Sequence, residues 1–204
     1  MRKKAVILGT GESAKHYKQD LFDFVLGIND AVKLGYKLDA ICFVDKWKRV
    51  VNTRPEVLNT DKFTEKICKY GDCPLPYSKQ IESVKHVMNG SFTVDRKPIS
   101  HGASSALYAV CICTYYGYKE IELYGIDLIT HEAMSAEFIR KGIDINKVPT
   151  LSESGFKDAR KWASKYSLHN SILELVLVRK FLKGKGIKMS LTKDSPISKI
   201  VNND

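Results

Sequence analysis

No stretch of this chain is apolar for long enough to cross a bilayer. A spanning helix takes about 20 consecutive apolar residues, and runs such as Ala5–Leu8, Phe24–Ile28 and Ala106–Cys113 stop well short. The start, MRKKAVILG, is basic but lacks the ~7–15-residue apolar core of a signal peptide, so the expected location is cytoplasmic, with no integral membrane segment. Cysteine is scarce and unpaired. Cys42, Cys68, Cys73, Cys111 and Cys113 make an odd set with no C-x-x-C and no nearby histidine pattern of the kind zinc requires, and they read as reduced, mostly buried thiols. Also missing are any two aspartates standing two apart, any internal repeat, any heptad run and any low-complexity tract.

What is present is an excess of positive charge, 33 Lys and Arg against 23 Asp and Glu, net +10. It favours an acidic partner, whether a nucleotide, an anionic glycan, a nucleic acid or a membrane surface. Scattered short pairs such as Lys3-Lys4 fit a solvated basic surface equally well. A length of 204 residues with 44% hydrophobic content fits one globular domain covering 1–204.

The stretch Ala5–Ser13, AVILGTGES, is an apolar run halted by Gly9, Thr10 and Gly11, the pattern of a strand entering a phosphate-cradling turn. Glycines permit tight backbone and close ligand approach, and a helix starting after the turn would offer free N–H groups to an anion. The dinucleotide fingerprint wants a third glycine where Ala14 stands, a tolerated replacement. Two further apolar runs, Phe24–Ile28 and Ala40–Val44, end at Asn29-Asp30 and at Asp45. If all three are parallel strands, Thr10, Ser13, Asn29 and Asp45 border one pocket at their C-terminal ends. Asn29 and Asp45 read equally well as cap or turn formers.

The middle, Arg54 to Lys97, carries Pro55, Pro74, Pro76, Gly71 and Gly90 and reads as loop-rich, with one strand near Val84–Met88. Gly102–Tyr116 reads as a buried helix closed by Gly117. Lys119–Leu123 follows as a strand leading into Gly125-Ile126-Asp127. A charged segment from Thr130 to Ser154 has the size of a lid. His169–Leu182 is a helix, Ile187–Leu191 a strand and Ser195–Val201 a short helix, so the class is α/β to the end.

In order along the chain, AVILGTGES, Asn29, the Ile99-Ser100-His101-Gly102 entry to a small-residue helix, GYKEIELYGID and His169 resemble the bacterial glycosyltransferase family 42 sialyltransferases. The resemblance implies a single Rossmann-like domain, a mostly parallel sheet flanked by helices, with the lid-like segment near 130–154. It also implies an enzyme that binds a cytidine-monophosphate sugar and transfers the sugar with inversion, using no cofactor and no metal. The missing D-x-D pair is compatible with that. By the same resemblance the donor contacts fall on Gly9, Thr10, Gly11, Ser13, Asn29, Asp45, Ser100, His101, Gly102, Gly125, Ile126 and Asp127. His169 would be the general base, a role that suits a group titrating near neutrality.

Departures from the family pattern are specific. Thr10 and Asp45 stand where it has asparagines, and His101 replaces a serine. The tyrosines that help its leaving phosphate have no match in Leu128–Phe138. Lys141, Arg140, Arg160 and Tyr166 are the candidates to replace them. Another donor sugar or nucleotide is therefore open. The expected acceptor is a glycan and the expected assembly a homo-oligomer. A hydroxymethylated base in viral DNA would use the positive charge, although no DNA-reading motif or dense basic run is present. An Mg²⁺-dependent pyrophosphokinase-like enzyme and a non-catalytic nucleotide-binding protein are the remaining alternatives.

Overall fold

The computed structural model describes residues 3–58, 63–68, 78–81, 83–84, 99–100, 104–127 and 167–203. The strands are β1 (Lys4–Leu8), β2 (Phe24–Ile28), β3 (Leu38–Phe43), β4 (Phe63–Cys68), β5 (Ser78–Gln80), β6 (Ser83–Val84), β7 (Ile99–Ser100), β8 (Glu120–Tyr124) and β9 (Lys188–Leu191). Seven of them form one sheet in the order β5-β4-β3-β2-β1-β8-β9, and every recorded pairing in it is parallel. The chain therefore runs outward from β1 to β5, then returns to β1's other flank and continues through β8 to β9. The strand order reverses at β1, which places the crevice of such a sheet at the C-terminal ends of β1 and its neighbours.

Four α-helices are described: α1 (Trp47–Thr53), α2 (Ser105–Tyr115), α3 (Ser167–Gly184) and α4 (Ser198–Val201). Alternate strand residues face opposite sides of the sheet, and both sides are apolar here. Ala5, Ile7, Leu26, Ile121, Leu123 and Met189 pack with the buried residues of α2 and α3. Val6, Leu8, Val25, Ile41 and Phe43 pack on the other side with Val32, Val50 and Val57. Each fully buried Leu or Ile contributes about 1.5–3 kcal/mol, which fixes the helices against the sheet.

Helix α2 is buried from Ala106 through Thr114. Such a helix, apolar on nearly every side, lies inside the molecule. Ser104 caps it by accepting a hydrogen bond from the Leu107 N–H, and Gly117, at φ +86°, ends it as expected.

The loop-rich reading of the middle is corrected at β4 and β5, which extend the main sheet. The strand expected near Val84–Met88 is described only at Ser83–Val84, paired with Ile99–Ser100 in a separate two-stranded sheet. Helix α1 was not legible as a helix. The segment after the glycine turn is a five-residue 3₁₀ helix, Glu12–His16, rather than an α-helix. Tyr17, already extended at φ −65°, ψ 136°, ends it.

Candidate functional site

A cavity of about 390 Å³ opens at the C-terminal ends of β1, β2 and β8, beside the N-terminus of α2. Gly9, Thr10 and Gly11 line it from β1; Ile28, Asn29 and Asp30 from β2; Gly125, Ile126 and Asp127 from β8; Ser104, Ser105 and Ala106 from α2.

The two glycine turns interlock beneath it. The Gly9 N–H donates to the Tyr124 carbonyl at 2.8 Å and the Gly11 N–H to the Gly125 carbonyl at 2.9 Å, which carries the β1·β8 ladder past both strand ends. A Cβ on Gly9 would fall on the Gly125 carbonyl oxygen, and one on Gly125 would fall on that of Gly9. Gly125 also sits at φ +65°, where side chains are disfavoured. These glycines are needed for backbone to meet backbone.

Two of the N–H groups expected to be free after the turn, those of Ser13 and Ala14, are engaged within the protein. The Ser13 N–H donates to Asp127 Oδ2 at 2.8 Å and the Ser13 hydroxyl to Asp127 Oδ1 at 2.6 Å, while the Gly125 N–H donates to Ser13 Oγ at 2.8 Å. The Ala14 N–H goes to the Gly11 carbonyl. The anionic group at this turn is the protein's own Asp127 carboxylate. Asp127 is 1% exposed, and with Ser13 it forms a buried clamp that shapes the cavity floor.

The opposite wall offers what the turn does not. The N–H groups of Ser105 and Ala106, in the first turn of α2, have no intrahelical partner, and the helix dipole favours an anion there by about 0.3–1 kcal/mol. Asn29 stands at φ +49°, a conformation asparagine tolerates better than most residues. Its Nδ2 donates to Ser105 Oγ at 3.0 Å, and its Oδ1 is buried with no hydrogen-bond partner. Next to it, Asp30 contacts Lys33 Nζ at 2.8 Å and Arg54 Nε at 3.2 Å. Burial pushes the Asp30 carboxyl up, but the Lys33 hydrogen bond and the Arg54 charge outweigh it and hold the group below its ordinary value.

No protein-family model matches the chain, and no curated protein matches it. Solved structures do. The sialyltransferase CstII from Campylobacter jejuni, in complex with the substrate analogue CMP-3FNeuAc, superposes with a TM-score of 0.50 at 16% identity, over 98% of this chain and 85% of that one. A variant of the sialyltransferase Cst-II in complex with CMP gives 0.53 at 18% identity, over 99% and 89%. The fold is sialyltransferase-like.

Within that fold, Gly9, Thr10, Gly11, Asn29, Gly125, Ile126 and Asp127 of the expected donor residues come together around one cavity, with Ser13 directly behind them. Asp45 does not line it. It follows β3, two strands from β1, and its carboxylate faces Arg49 at 3.5 Å and Arg54 at 3.7 Å. Ser100 ends β7, while its side chain, His101 and Gly102 lie outside the described residues. His169 falls in the first turn of α3, its side chain likewise outside. The lid-like segment, with Lys141, Arg140, Arg160 and Tyr166, also lies outside them. Sequence reading missed Asp30, Ser104 and Ser105. Two signals pointed to them: a carboxylate about 20 residues past a glycine turn is the spacing of a ribose-binding acid, and serine before an apolar helix is a cap signature.

Proposed function

We propose that this chain is a glycosyltransferase of the sialyltransferase type, which binds a cytidine-monophosphate sugar in the switch-point cavity and transfers the sugar to an acceptor hydroxyl. The observation that carries this reading is the cavity's place, at the ends of β1, β2 and β8 and the start of α2, in a fold that superposes along nearly the whole chain on sialyltransferases in complex with CMP or a CMP-sugar analogue.

The donor phosphate would lie against the first turn of α2, where N–H groups and dipole favour it, with Thr10, Ser105 and the Asn29 amide around it. The acceptor oxygen attacks the anomeric carbon as the bond to the phosphate oxygen breaks, inverting the centre. His169 takes the acceptor hydroxyl's proton, and CMP leaves. A monophosphate leaving group has no diphosphate for a divalent cation to bridge, in keeping with a chain that has no D-x-D pair. We assign a glycan as the acceptor class.

The test is turnover of a panel of CMP-sugars in the presence of a chelator, read as release of CMP with and without glycan acceptors. The reading predicts release from at least one CMP-sugar, accelerated by an acceptor. No release from any of them, with turnover of a uridine or guanosine diphosphate sugar instead, would keep glycosyl transfer and discard the cytidine donor.

A further inference from the structure

The part of the cavity lined by Asp30 differs chemically from the start of α2. Asp30 lines the cavity, and each of its oxygens has a single cation against it: Oδ1 has Lys33 Nζ at 2.8 Å and Oδ2 has Arg54 Nε at 3.2 Å. A carboxylate oxygen accepts about two hydrogen bonds, so each keeps acceptor capacity. The side chain is 37% exposed and borders the cavity, so that capacity is open to solvent rather than used up inside the protein. The two cations keep the group ionised and therefore unable to donate.

Arg54 fixes this arrangement. Its side chain is only 15% exposed. Its Nη1 donates to Thr53 Oγ1 at 3.0 Å and lies 3.7 Å from Asp45, and its own N–H bonds back to the Val50 carbonyl at the end of α1. One partly buried guanidinium thus ties the C-terminal ends of β2 and β3 to α1. It holds Asp30 next to the left-handed Asn29, and it accounts for Asp45, which serves the site through Arg54.

We infer that Asp30 is a hydroxyl-recognising residue of this cavity, accepting from a vicinal diol of the ligand, and that Arg54 is its positioning residue. The inference rests on the nucleotide-sugar reading above and narrows it. A phosphate or a sugar carboxylate brought against Asp30 would meet a like charge, whereas a ribose or a sugar ring carrying neighbouring hydroxyls would meet a carboxylate able to accept from them. Anionic groups of the ligand belong at the α2 wall.

The test is calorimetric titration of the full chain with CMP, with 2′-deoxy-CMP and with a CMP-sugar carrying neighbouring ring hydroxyls, on wild type, Asp30→Asn, Arg54→Met and Arg54→Lys. If the diol is the ribose, wild type binds CMP about tenfold more tightly than 2′-deoxy-CMP, and Asp30→Asn brings the two within about twofold of each other. If the diol is on the sugar, wild type treats the two nucleotides alike but gains about tenfold on adding the sugar, and Asp30→Asn removes that gain. Arg54→Met reproduces the loss of discrimination, and Arg54→Lys recovers part of it. Wild type showing neither preference overturns the inference without recourse to a variant, as does an Asp30→Asn protein that keeps the wild-type ratios. Failure of wild type to bind any of the three ligands is the distinct outcome that removes the cytidine reading itself.

Discussion

His169→Ala is expected to lower turnover about 10²–10⁴-fold while leaving the affinity for the donor nucleotide within about twofold of wild type, the range a positioned general base contributes. The split between rate and binding follows from the chemistry. In the proposed mechanism the imidazole takes the acceptor's proton, which is not present when donor alone is bound. As the proposed base the imidazole acts in its neutral form, so the wild-type rate should rise with pH and then level off, and the residual activity of the variant should lose that rise. Rate constants and donor affinities measured side by side across pH 5–8 decide it. An unchanged rate in His169→Ala removes the residue from the mechanism; a lost donor affinity with unchanged rate at saturation makes it a binding residue.

The second large effect is on stability. Asp127→Ala strips the Ser13 N–H and the Ser13 hydroxyl of their acceptor in a buried site. Leaving a buried donor unsatisfied costs about 1–3 kcal/mol, so the substitution should cost about 2–4 kcal/mol. At this chain length that lowers Tm by roughly 5–15 °C. Ser13→Ala keeps the N–H bond to Asp127 but leaves the Gly125 N–H without its acceptor, one buried donor against two, so it should cost about 1–3 kcal/mol. Because both changes break the same clamp, the double variant should be less destabilised than the sum of the singles. Denaturant unfolding of the four proteins of this cycle measures it. The opposite result, Asp127→Ala with unchanged Tm and weakened nucleotide binding, would make Asp127 a ligand-contacting residue instead of the clamp described here.

The parts of this fold that were legible in the sequence are strands buried on both faces, such as β1 and β2, and the half-buried β8, which follows a helix closed by a glycine. β1 and β2, flanked on each side in the sheet, read as continuous apolar runs, and β8 with the helix before it read as a compact unit. β4 and β5 were missed because they lie at the sheet's outer flank. FTEKIC alternates, with Glu65 half-buried and Ile67 buried, so it presents no apolar run among the prolines and glycines around it. The glycine turn was legible as a turn, but its cause was not. Gly9 and Gly125 are far apart in sequence, and only the fold brings their backbones together. The consequence is that Ser13, expected to face a ligand, binds Asp127 instead, and the function proposed above puts the ligand's anion at the start of α2. Asp30 escaped notice because Asn29 alone was taken from that strand end.

On the function proposed above, the cavity bounded by Gly9–Gly11, Asn29, Ser105 and Gly125–Asp127 takes cytidine monophosphate. The most direct test is the melting temperature of wild type and of Ser105→Trp, which fills the cavity, with CMP, UDP, GDP and ATP, each with and without Mg²⁺. A ligand at about 100 times its Kd contributes about 2.7 kcal/mol to the native state, a rise on the order of 5–10 °C for a chain of this length. The account predicts that rise with CMP, independent of Mg²⁺, in wild type and not in Ser105→Trp. No rise with CMP, or an equal rise in both proteins, would contradict it.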